Sequence, residues 1–447
     1  MNKTSNIVLA LILGLLLLLG SLYLGYFVSR EEFWTLFGVF SLLFVGAGFF
    51  IKLYGKSWQW IFFLGLLIRL GMLLTFPKLS DDYARFLWDG ELVRIEQNPY
   101  SEIPREWLEK NQDLTNPFLD NLFELMNSKD YYSVYPPSNQ LIFWLGSLGA
   151  KMDPWQGIVC LRMMILIGEI GLYFIFLSLI KKVNIVPSRL GWYWLNPLVI
   201  FELTVNLHFE GLVLLTLIAT LLFLQKKKIL LSGLMVGLSV GLKLLPLILL
   251  PALFFFVKKK QLIPFVLGLF GMLFICFAPL MYGDSLWNFL QSVRLYQGKF
   301  EFNASVYYLL REVGFWIQGY NTIATLTKIL SGLTMVLILW LSWSRSGKGF
   351  KELIHTWMLV YLIYLVLQPV VHPWYIIPAL GLSLFTQSKI FLAWSWLIIW
   401  SYMAYSNPEF TENPWILTLE YLPLFILIVS EYFRPRKDEN LTQNLSL

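Results

Sequence analysis

Fourteen apolar runs, joined by short connections in which lysine and arginine collect, dominate the chain. They cover residues 7–28, 33–54, 58–76, 158–180, 191–205, 209–224, 229–242, 245–257, 264–281, 322–343, 353–368, 374–385, 390–405 and 415–433. A helix crosses the hydrocarbon slab with roughly 20 apolar residues. The expectation is an all-α polytopic transmembrane protein of about 14 spans (12–16), built as a single integral membrane domain over 1–447. Several runs are short for a crossing, which suggests a deep cavity or a locally thinned slab.

Charge placement orients the runs. Lys52 and Lys56, Lys181 and Lys182, Lys226–Lys228, Lys258–Lys260, Arg345, Lys348, Lys351, Lys389 and the tail 434–437 are expected on the cytoplasmic side, with both termini. That leaves two long polar segments outside: 77–157, carrying juxtamembrane helices with 141–150 as a surface or re-entrant one, and 282–321. The first run lacks a small-residue cleavage site and reads as a retained span. A net charge of +6 confined to short loops marks orientation, and no basic stretch interleaved with aromatics points to nucleic acid. Two cysteines, Cys160 and Cys276, exclude a disulfide framework, and no Cys/His spacing suits zinc.

Only 14% of residues are charged, yet Ser80-Asp81-Asp82-Tyr83-Ala84-Arg85-Phe86-Leu87-Trp88-Asp89-Gly90 holds three carboxylates and an arginine. As a helix it places Asp82, Arg85 and Asp89 on one face and Tyr83, Phe86 and Leu87 on another. This pattern suits an amphipathic interfacial helix with internal ion pairs as well as it suits a catalytic site. The side on which other polar residues fall adds weight to the second reading. Glu202, Asn206, His208, Glu210, Lys243 and His372 all sit at turns expected on the outer face, with Asp81 and Asp82. Ionisable groups at membrane depth usually line a cavity or pathway. Arg69, inside the third run, should face protein or water.

The ordered motifs resemble bacterial GT-C glycosyltransferases, specifically the polyprenol-phosphate-mannose-dependent mannosyltransferase-like group. They are the 80–90 stretch, Asn98-Pro99-Tyr100, Tyr135-Pro136-Pro137, Asn196-Pro197-Leu198 with Glu202 and Asn206-Leu207-His208-Phe209-Glu210, Gly241-Leu242-Lys243-Leu244-Leu245-Pro246, and His372-Pro373-Trp374-Tyr375. The likeness runs from Trp58 to Tyr375 and leaves the two N-terminal spans outside. Phe209-Glu210 stands where that group usually has Asn-Asp, and Phe86 where Tyr is common.

The resemblance implies a membrane glycosyltransferase of the plasma (inner) membrane and cell envelope. It would move a hexose, by preference mannose, from a polyprenyl-phosphate donor to a glycolipid or glycan hydroxyl at the outer face. Transfer would go with inversion and without metal or other cofactor. Asp81 or Asp82 is the implied base, with Asp82 slightly behind because it shares its helical face with Arg85, and its surroundings should raise the carboxylate pKa. Arg85, Lys243, Arg294, Arg311 and His372 are candidates to meet the donor phosphate. Asp89, Asn98, Tyr100, Tyr135, Asn206, His208 and Glu210 are further binding candidates, and Trp88, Tyr100 and Tyr135 are candidates to stack on sugar faces. A polysaccharide polymerase or ligase, or a lipid or sugar flippase, would share much of this composition. A flippase should carry charges deep within its spans and often a repeat.

Overall fold

The computed structural model describes residues 3–55, 57–150, 152–407 and 409–433; Lys56 and the basic tail 434–437 lie outside them. Helices α1 (Lys3–Phe27) and α2 (Phe33–Tyr54) pack side by side, and α3 (Trp58–Gly71) packs on α1. Helix α3 stops five residues before the end of its apolar run. Met72, Leu73 and Thr75 turn with short-range hydrogen bonds, and Pro77 follows, a residue that cannot continue a helix ladder.

The first polar segment folds into α4 (Asp82–Arg94), α5 (Pro104–Lys110), α6 (Pro117–Leu125) and α7 (Pro137–Ala150). Proline opens α5, α6 and α7, where its missing N–H costs nothing. The Asn116 side chain caps α6 by accepting from the Phe118 and Leu119 amides. Helix α4 is not the amphipathic surface helix that its pattern allows. Every residue from Tyr83 to Leu92 is buried, because α7 covers one flank and α6 another. Gly90 makes the α4–α7 crossing possible. A Cβ there would lie 2.1 Å from the Phe143 carbonyl oxygen, a backbone atom that cannot swing aside. Gly90→Ala is therefore expected to lower stability by about 1–3 kcal/mol, the usual cost of overpacking, read as a fall in melting temperature in detergent.

Helix α8 (Pro154–Lys182) follows, then α9 (Gly191–Trp194) and α10 (Pro197–Val199). The latter runs into a π-helical turn, Ile200–Val205, and the chain bends by 112° before α11 (Glu210–Gln225). The rest comprises α12 (Ile229–Leu242), α13 (Leu250–Phe256), α14 (Leu262–Phe277), α15 (Ser285–Gly298), α16 (Val306–Gln318), α17 (Ile323–Ser344), α18 (Phe350–Leu367), α19 (Ile377–Ser383), α20 (Ile390–Leu397) and α21 (Pro414–Tyr432). The fold is all-helical; extended pairing among the described residues is one isolated bridge, Phe302 to Val370.

Among the described residues seven helical stretches are long and apolar enough to cross a membrane, or eight if the bent pair counts as one span. The expectation of about fourteen is not reproduced at this level. Trp58–Gly71, Ile229–Leu242, Leu245–Phe256 and Ile390–Ser406 are apolar but shorter, and the 374–385 run folds into a 3-10 turn and the seven-residue α19. The connections sort to two ends. At one, Lys181 lies over the Trp58 ring and Arg189 donates to the carbonyls of Leu384 and Thr386. At the other, Trp155 Nε1 donates to Leu74 O and Arg30 meets Asp81.

Arg69 faces protein. It is fully buried, paired through two nitrogens with Glu169 at 2.9 and 3.1 Å, and its guanidinium lies 3.8 Å from the Trp194 ring centroid.

Candidate active site

The site forms where the N-terminus of α4 meets the break between α10 and α11. Burying that break needs partners for its freed carbonyls, and Arg162 of α8 supplies them. Its guanidinium donates to Thr204 O at 2.5 Å, Val205 O at 3.1 Å and Leu73 O at 2.5 Å. Leu207 takes a left-handed φ of 66°, a conformation that a branched side chain seldom adopts. Such strain and π-turns concentrate at functional positions. Their effect here is to aim His208 back at α4.

His208 then bridges two carboxylates. Its Nδ1 lies 2.9 Å from Glu202 Oε2 and its Nε2 lies 3.6 Å from Asp82 Oδ2. The ring stacks on Trp374 with centroids 3.6 Å apart, and His372 stacks on the same indole at 4.5 Å. Phe302 continues the stack, 5.0 Å from His372.

These groups open onto a cavity of about 770 Å³. Asp81, Asp82, Tyr135, His208, Glu210, Lys243 and His372 line it together, although they come from five separate parts of the chain. Lys243, at the C-terminal end of α12, is ion-paired with Glu210 and lies 4.4 Å from the Tyr375 ring centroid. Asp81 is held by Arg30 at 3.0 Å.

Burial by itself would raise the Asp82 carboxyl. The His208 ring beside it, and Lys243 farther off, instead hold it below its ordinary value of 3.8. This reverses the expectation of a raised pKa. Burial would likewise push His208 down, but Asp82 and Glu202 hold it up at about 9, so the ring carries a proton at neutral pH. For His372 burial outweighs the upward pull of Asp82 and pushes the ring down to about 3. It is neutral near pH 7 and offers the cavity a hydrogen-bonding ring rather than a cation.

Other expected site residues do not line this cavity. Arg85 pairs with Asp89 at 2.7 Å and donates to the carbonyls of Ser128 and Tyr131. Asp89 also accepts from Ser133 and Gln140, so the pair ties α4 to the 128–140 loop. Asn98 caps its own turn and donates to Ser285, and the Tyr100 hydroxyl donates to Tyr135 O. Trp88 is buried against Trp107 and Phe123. Asn206 donates to Glu202 from behind the cavity wall. Arg294 is exposed over Trp287, and Arg311 pairs with Glu301 and Glu312. Of the expected phosphate ligands, Lys243 and His372 remain. The sequence reading missed Arg30 and Arg162. Glu202 stands out by its place at an outer turn, and Trp374 only as a member of the His-Pro-Trp-Tyr motif.

The family described as alpha-(1->6)-mannopyranosyltransferase, N-terminal domain (MptA_B family), matches residues 7–259, more than half of the chain. The chain belongs to this family. The protein is thus a membrane mannosyltransferase, and the match spans Arg30, both aspartates, Glu202, His208, Glu210 and Lys243. It also takes in α1 and α2, which the motif likeness left outside; Arg30, in the connection between them, gives those helices a place at the cavity. The His372-Pro373-Trp374-Tyr375 segment of the mannosyltransferase lies beyond the matched residues. No curated protein matches the sequence.

Proposed function

We propose that this mannosyltransferase moves mannose from a polyprenyl-phosphate donor to a hydroxyl of a glycolipid or glycan at the outer face of the plasma membrane. Transfer goes with inversion and needs no metal. The observation that carries this reading is the Asp82 carboxylate, in a cavity shared with one lysine and fixed from behind by His208 and Glu202.

The acceptor hydroxyl attacks the anomeric carbon, Asp82 takes its proton, and the bond from that carbon to the phosphate oxygen breaks on the opposite face. Lys243, kept in place by Glu210, meets the charge that develops on the departing polyprenyl phosphate. The protonated His208 holds Asp82 ionised and aimed, which favours position over basicity. Asp82 is preferred to Asp81 because Arg30 already occupies Asp81. That pair joins Arg30 Nη1 to Asp81 Oδ2 at 3.0 Å.

Incubation with polyprenyl-phosphate-mannose or -glucose and a membrane lipid extract, followed by mass spectrometry, tests the donor. Hexose addition from the mannose donor, unaffected by a chelator, is the expected result. Loss of transfer on chelation and its return with a divalent cation would overturn the metal-free mechanism.

The pH dependence follows from His208. Its folded-state value lies above the ordinary 6.5, so its contribution to stability is complete below about 6.5 and is lost as pH rises through about 9. Transfer should fall over the same alkaline range as Asp82 loses its cationic support. In His208→Gln, the melting temperature should no longer drop between pH 6.5 and 9.5. An unchanged drop in that variant would assign the titration to another group.

A further inference from the structure

A second cavity, of about 570 Å³, lies between the 3-10 stretch Ile398–Ser406 and the start of α21. Asn303, Trp400, Asn407, Glu412, Trp415 and Glu420 line it, all beyond the residues that the family match covers. The Asn303 amide N–H donates to Glu412 Oε1 at 2.6 Å. Asn303 Nδ2 and Trp394 Nε1 both donate to Glu420 Oε1, at 3.1 and 2.9 Å. Asn303 and Glu420 are fully buried, yet Asn303 Oδ1 and Glu420 Oε2 have no partner among the described residues. Asn303 is also held at a left-handed φ of 48°. Buried polar atoms are nearly always hydrogen-bonded, so two orphans in one cavity wall mark a place that polar groups of a ligand complete.

The ligand must offer hydroxyls to carboxylates and amides while laying flat apolar faces on indoles. Sugars do both. The volume falls within the roughly 300–1,000 Å³ typical of small-molecule sites. The wall toward the first cavity is thin. Phe302, next to Asn303, touches His372 and Tyr405, at centroid distances of 5.0 and 5.5 Å, and both of those residues line the catalytic cavity.

We propose that this cavity is the acceptor subsite, holding mannose units of an α-(1→6)-linked glycan behind the hydroxyl that enters the catalytic cavity. The assignment rests on the transferase reading given above.

The test uses the full-length protein in detergent with α-(1→6)-mannotriose as probe. Tryptophan fluorescence reports binding, and transfer from polyprenyl-phosphate-mannose reports turnover. Trp415→Ala alters an exposed side chain, and Glu420→Gln keeps the acceptor oxygen used by Asn303 and Trp394. Each is expected to weaken mannotriose binding and raise the acceptor KM at least tenfold, with the donor KM and acceptor-free donor hydrolysis unchanged. Unaltered binding and acceptor KM in both variants would overturn the subsite. Mannotriose binding that these variants abolish, without transfer by the native protein, would uphold the subsite and overturn the donor assignment. Failure of the native protein to bind mannotriose would overturn the subsite whatever its transfer activity.

Discussion

Asp82→Asn is expected to lower mannosyl transfer by about 10²–10⁴-fold, the range that a positioned general base contributes, while the protein still folds and inserts. Asparagine keeps the shape of the side chain and its contact with His208 but cannot accept the hydroxyl proton. Asp81→Asn should cost less than about tenfold, since it removes one partner of a part-exposed ion pair worth about 1 kcal/mol or less. Initial rates at saturating donor, on samples matched for melting temperature, separate the two. A full loss in Asp81→Asn with Asp82→Asn near native activity would exchange their roles. Full activity in both would remove the aspartates from catalysis.

The second large effect is on stability. Glu169→Leu should cost about 3–5 kcal/mol, because Arg69 would remain fully buried with its charge uncompensated. The Trp194 face and the carbonyls of Gly65 and Trp194 would still receive the guanidinium, but no anion would. Thr204 donates to the same Glu169 carboxylate at 3.3 Å, so loosening should spread to the break that carries Glu202 and His208. Transfer should therefore fall with the melting temperature. The double variant Arg69→Met/Glu169→Leu should recover most of the lost stability, because a packed apolar pair removes the orphaned charge. A single Glu169→Leu variant as stable as the native protein would show that the pair is not structural.

Asp82, His208, Glu210, Lys243 and His372 could be read from sequence because each interrupts or ends an apolar run on one side of the charge pattern. Their convergence on one cavity follows from that sidedness. Asp89 and Arg85 were misplaced for a different reason. Helical spacing puts them on the face of Asp82, but spacing cannot tell that the 128–140 loop folds over them and consumes their hydrogen bonds. The same blindness to long-range cover turned a helix with the pattern of a surface element into a buried one. Arg30 carries no local signal, being a single arginine in a short connection 51 residues from its partner. The expected rise in the Asp82 pKa rested on a position near the membrane surface and a neighbouring acid, whereas the nearer charge is the His208 ring. The expected span number is not reproduced where proline interrupts apolar runs, as at Pro197, Pro246 and Pro373, and leaves short helical pieces.

Inversion to an α-(1→6) product requires a β-linked donor, so the stereochemistry of transfer distinguishes direct displacement with Asp82 as base from any other course. The purified protein would be given α- or β-configured polyprenyl-phosphate-mannose with α-(1→6)-mannotriose, and the new linkage read by nuclear magnetic resonance. An α-linked tetrasaccharide is expected from the β donor alone, formed by the native protein and not by Asp82→Asn. An α product from the α donor, or equal turnover by Asp82→Asn, would contradict that expectation.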